Sequence, residues 1–277
     1  MLWLKKKSTG SDDTDKSIEP VVLQVEFDEK IIASKLQQLM AGAALRGGID
    51  EFVASLQAKH EMFANALSGA SMSQLAFESV LETVFPARRK LPQVLAQIPL
   101  SVIDTQMREL IHGEALLEER IANFVALTGN EDRKINRAAW DLATEVVHFY
   151  DPEKYPLMSK WVWDQRVQSG ASREFIRAND TMPNIPLGDT AGHFDAARQH
   201  LMQHLAAQGV YRDLPFMADL VMAQAYTDYV MAMSNGMGMM GSEFGGKMEP
   251  IEFIAKILGI EPARSGGRSR LKQSQVH

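Results

Sequence analysis

The sequence predicts an all-α fold, a multi-helix bundle of about ten mostly short helices. Three observations carry that expectation. Apolar residues recur three and four apart almost throughout residues 28–258. Asp, Ser, Gly and Pro fall where helices would start and stop. Only Pro20 to Phe27 (PVVLQVEF) has sustained β character. One lone strand makes no sheet, so that stretch is expected to lie against the helices.

Each element follows from its own residues. In Asp28 to Leu45, the residues Ile32, Leu36, Leu39, Met40 and Ala43 share one face, and Gly47-Gly48 ends the helix. Asp50 can cap the next, whose stripe is Phe52, Leu56, Phe63 and Leu67, stopped at Gly69. Ser71 with Gln74 reads as a capping box for a run to Phe85, halted by Pro86. Shorter helices are expected over 91–98 and 101–112, the second closed by Gly113. Leu117, Ile121 and Phe124 mark another, ending near Gly129. Asp132 to Phe149 is long, with Ile135, Ala139, Leu142, Val146 and Phe149 aligned. Asp151 and Pro156 bracket a bend before a short helix over 157–168. Asp189 caps a helix to about residue 207.

Asp213 with Leu214-Pro215 opens the helix over 213–233. It is apolar nearly all round, apart from Asp219, Gln224, Thr227 and Asp228. A helix without a polar face is the near-fully buried centre of a bundle. A last helix covers 249–258. The expected organisation is a disordered leader over 1–19, one helical domain over 20–260 and a disordered basic tail over 261–277. The loop at 179–188, with Pro183 and Pro186, is the candidate sub-boundary.

Composition sets limits on function. With no cysteine, the chain holds no disulfide, no thiolate zinc site, no cysteine-ligated cluster and no thiol nucleophile. The net charge is −6, but the tail after Glu261 carries Arg264, Arg268, Arg270 and Lys272 without an acid. Residues 1–261 therefore hold 25 bases against 35 acids. An acidic body argues against a nucleic-acid partner, since phosphate affinity comes from clustered cations. No apolar run approaches about 18 residues, so no transmembrane helix is expected. The start, MLWLKKK, has the wrong order for a secretory signal. A cytoplasmic location is the expectation.

The densest chemistry lies between Glu145 and Arg166 (EVVHFYDPEKYPLMSKWVWDQR). Asp141, Glu145 and His148 share one face of their helix, away from its apolar stripe. A carboxylate one turn before a histidine can orient its ring, as a general base requires. The competing reading is a helix C-terminus followed by an aromatic corner that locks two helices. Glu-x-x-His occurs at Glu109/His112 and Glu145/His148, a spacing that di-iron bundles use. Chance supplies such pairs readily, and Glu109 should face water. His200 and His204, at i and i+4, could chelate a metal but more often mark a half-buried helix edge. No metal site and no cofactor is assigned. Nine of the 16 methionines lie between Met202 and Met248, around a glycine-rich loop suited to adaptable docking.

Residues 45–53 (LRGGIDEFV) and 148–164 (HFYDPEKYPLMSKWVWD) together resemble uncharacterised helical bacterial proteins associated with heterodisulfide-reductase-like sulfur-oxidation gene clusters. The likeness covers about 26 of the 277 residues. It implies an accessory partner of a redox complex, and transfers no catalytic residue.

The leading expectation is a helical accessory or binding protein without its own redox centre. It would dock a protein partner through Tyr150, Tyr155, Trp161 and Trp163, with Met237, Met239 and Met240. The alternative is an enzyme with His148 as general base, oriented by Glu145 or Asp141, and Tyr150, Asp151 or Asp164 on the substrate. A helical metal-binding protein is the third class.

Overall fold

A computed structural model of the chain describes residues 18–129, 131–236 and 249–261. Among these residues there are twelve helices and no strand, so the fold is an all-α bundle. The first half runs α1 (Glu29–Ala44), α2 (Ile49–Ser68), α3 (Gln74–Thr83), α4 (Ala87–Lys90), α5 (Pro92–Leu95), α6 (Leu100–His112), α7 (Leu117–Leu127) and α8 (Arg133–Tyr150). After an irregular stretch come α9 (Ala171–Phe175), α10 (Ala191–Ala207), α11 (Leu214–Gly236) and α12 (Pro250–Ile257).

Two helices organise the packing. α8 is surrounded by α2, α4, α6 and α7, while α11 is surrounded by α1, α9, α10 and α12 and touches α2. α11 carries the near-complete burial read from its sequence only in its first half: Phe216 to Ala225 are buried. From Asp228 to Ser234 its residues are half-buried or exposed. Residues 20–27 form no strand: they are irregular, with a bend at 24–25. Phe27 forms an isolated antiparallel bridge with Ile176 and stacks on Phe175 with ring centroids 6.2 Å apart.

Several local expectations need correction. Ser73, not Ser71, caps α3, accepting from the Ala76 amide. Gly48 stands at the N-cap of α2, where Asp50 lies in the first turn and favours the positive end of the helix. Thr190 rather than Asp189 precedes α10, because the Asp189 carboxylate is taken by Lys160. The helix expected over 91–98 shrinks to the single turn α5, which starts at Pro92, and a further single turn, α4, precedes it. α9 had no counterpart in the sequence reading.

The largest departure is at 157–168, where no helix forms. Residues 151–170 make an irregular strap that runs back along α8. Its polar main-chain groups bond to side chains of α8 and α10 instead of closing helical turns. The leader over 1–17, the tail beyond 261 and Met237, Met239 and Met240 lie outside the described residues.

Candidate functional site

A buried irregular segment must find partners for its amides and carbonyls, since an unpaired one costs about as much as a lost hydrogen bond. The strap finds them on the polar face of α8. Trp140 Nε1 donates to the Met158 carbonyl (2.8 Å), and Asp141 Oδ1 accepts from the Lys160 amide (2.7 Å). His148 Nδ1 meets the Tyr155 carbonyl at 2.8 Å. Arg198, from α10, spreads its guanidinium over the carbonyls of Pro152, Glu153 and Tyr155. A face that reads as catalytic from residue types alone is therefore covered, and Asp141, Glu145 and His148 are all buried.

Behind His148 the charges continue into the core. Its Nε2 lies 2.9 Å from Asp219 Oδ2 of α11. Glu145, one turn earlier, turns to Lys59 of α2 at 2.7 Å instead of orienting the imidazole. The Lys59 ammonium also donates to the carbonyls of Leu258 (2.8 Å) and Thr83 (3.1 Å) and sits 4.1 Å from the Phe149 ring centroid. It thus binds the carbonyl ends of α3 and α12, where the helix dipole is negative.

Burial sets the proton affinities here. It pushes the Asp141 carboxyl up to about 7, against the pull of the Lys160 amide and of Arg137. Burial also raises Glu145 and lowers Lys59, while the contact between them opposes both shifts. Glu145 Oε1 has no hydrogen-bond partner among the described residues, which further disfavours the carboxylate.

The residues singled out in the sequence separate into different roles. Asp151 closes the turn after α8, accepting from the Lys154 amide. Asp164 accepts from the Arg166 amide and lies 3.6 Å from Arg137. Neither contacts His148. Tyr155, Trp161 and Trp163 are core residues and offer no docking surface in this conformation. Tyr150 is half-buried, edge-on to His112. Glu109 and His112 are exposed on α6 while Glu145 and His148 are buried, so the two Glu-x-x-His pairs do not meet. Among the described residues, no group of three or more His, Asp or Glu side chains is placed to hold a metal. His200 and His204 are edge residues with ring centroids 6.5 Å apart.

Lys59, Arg198 and Trp140 were missed. Their partners lie far away in sequence, so no local pattern marks them. Asp219 gave a signal: a lone acid in an apolar helix must be partnered once buried.

Two concavities flank this cluster. One is a narrow, partly open pocket of about 20 Å³, lined in part by Ser172, Phe194, Arg198, Asp219 and Met222. That is room for about one water molecule. The other is an open groove of about 440 Å³ between α7 and the start of α8. Ala122, Val125, Ala126 and Trp140 give it an apolar floor, with Glu131 and Asn136 at its edge. Lys160 of the strap lies over the ring of the same Trp140, its Nζ 3.9 Å from the centroid.

No known family model, curated protein or solved structure matches the chain. Among the described residues no helix is long and apolar enough to cross a membrane.

Proposed function

We propose that this chain is a cytoplasmic helical binding protein, an accessory partner that works through its surface and carries no redox centre of its own. The observation that carries this reading is how the charged residues are used. The strap, the helix ends and buried ion pairs engage Asp141, His148, Lys59 and Arg198, while the Trp140 groove is open and roomy. A water-sized cavity beside Asp219 does not admit a metabolite.

The groove defines the partner it suits. Its floor is apolar, and Arg133, Lys134 and Arg137 are exposed along the same helix start. A protein segment presenting apolar side chains flanked by acids fits both features. The acidic body supports a protein partner over a nucleic acid. The resemblance of residues 45–53 and 148–164 to proteins of sulfur-oxidation gene clusters supports a partner within a redox complex, which would carry the electron or sulfur carriers.

The test is a native pull-down from the source organism followed by rebinding of the purified partner. Wild-type protein should retain a stoichiometric redox partner. Ala126→Glu, which puts a charge on the groove floor, should weaken rebinding at least tenfold. Gln203→Glu on the exposed face of α10 should not. Recovery of wild-type protein alone, or equal binding by Ala126→Glu, would overturn the proposal.

A further inference from the structure

His148 has no exposed surface, and each ring nitrogen faces an acceptor. The Tyr155 carbonyl receives Nδ1 at 2.8 Å and Arg198 Nη1 at 3.1 Å. A carbonyl only accepts, so Nδ1 carries a hydrogen. A neutral ring would then turn the Nε2 lone pair onto Asp219 Oδ2 at 2.9 Å. A hydrogen must lie on that line as well.

The surrounding charges agree. Lys59 of α2 is paired with Glu145 of α8, and Arg198 of α10 with its neighbour Asp195. Asp219 of α11 is the anion in contact with the ring, with Glu145 acting on the ring and Lys59 on Asp219 from farther off. Asp141 lies two turns away on α8, bonded to the Lys160 amide. Arg88 of α4 acts on Lys59 from farther off. The strap presents Tyr155 through its carbonyl, and its Lys154 sits over the Tyr155 ring.

We propose that His148 is a buried imidazolium and that its second proton latches the 151–170 strap to α11. With the proton bound, one ring joins the Tyr155 main chain to Asp219. Without it, two lone pairs oppose each other at 2.9 Å in a site with room for about one water. The contact between the ring and Asp219 must then open, and the strap loses its link through His148 to α11. The ligand of this site is a proton, and the response is a conformational change in the strap. The latch is independent of whether the Trp140 groove binds a partner.

The test uses the full chain with ¹⁵N-labelled histidine, in an Asp141→Asn background so that Asp141 does not titrate. At pH 7 both His148 ring nitrogens should show protonated-type shifts; a pyridine-type Nε2 would overturn the assignment. As pH rises, loss of the second proton should coincide with a red shift of tryptophan emission from Trp161 and Trp163. In Asp219→Asn the side-chain amide can donate to a neutral ring, so emission should stay flat over that range. An unchanged emission transition in this variant would overturn the latch. If Asp219→Asn does not fold, the parent decides alone: ring and emission midpoints that differ by more than one pH unit overturn the latch, and coincident midpoints support it.

Discussion

At the scale of single residues, the chain places ionisable groups where desolvation is severe and gives each at least one buried partner, as Lys59, Asp141, Glu145, His148 and Asp219 show. Removing one member of a buried pair leaves an uncompensated charge, whereas intact pairs contribute little net stability. Lys59, Glu145, His148 and Asp219 are therefore better understood as fixing positions than as adding stability. Asp141 makes this measurable. Its carboxyl titrates at about 7 in the fold against 3.8 for the ordinary side chain, because burial disfavours the charge. The native state then holds this proton more tightly than the unfolded chain. Its stabilising effect is complete below the unfolded value and is lost as pH rises through the folded one. Urea unfolding should show stability falling between about pH 4 and 7, by up to roughly 4 kcal/mol from this group. Asp141→Asn should flatten that part of the profile. An equal slope in the variant would show that the decline arises elsewhere.

At the scale of elements, helices were legible and the strap was not. Apolar spacing located α1, α2, α6, α7, α8, α10 and α11 within a few residues, because one buried stripe per helix writes its own period into the sequence. Residues 157–168 carry enough apolar side chains to suggest a helix, yet their conformation is set by Trp140, Asp141, His148 and Arg198 from elsewhere. The same non-locality explains the site: Glu145 and His148 stood out, but the partners that define them, Lys59 and Asp219, are 86 and 71 residues distant. Gly170 is the strap's local requirement. Its φ is +139°, and a Cβ there would stand 2.6 Å from the Val162 carbonyl oxygen. Gly170→Ala should cost on the order of 1–3 kcal/mol and loosen the strap selectively. Limited proteolysis should show new cleavage within 151–170 while far-UV circular dichroism keeps its helical signal. Loss of helical signal in step with cleavage would show instead that the strap and the bundle stand or fall together.

At the scale of the whole molecule, one hydrophobic core runs from Phe27 through α12 and includes residues on both sides of the 179–188 loop. That loop is fastened in place: Ile185 and Leu187 are buried, and the Leu187 carbonyl accepts from Trp163 Nε1 at 3.0 Å. α11 packs against helices from the start and the end of the chain, and Lys59 joins the carbonyl ends of α3 and α12. Such cross-connection makes partial unfolding expensive, because opening either half strips buried surface and charge partners from the other. We therefore expect a single cooperative transition in urea. Tryptophan emission samples mainly the α8–strap region through Trp140, Trp161 and Trp163, whereas circular dichroism at 222 nm samples helices on both sides of the loop. The two curves should superimpose, with an m-value appropriate to the full chain. Midpoints separated by more than experimental error, or an m-value near half that size, would instead divide the protein at 179–188 into two independently folding halves.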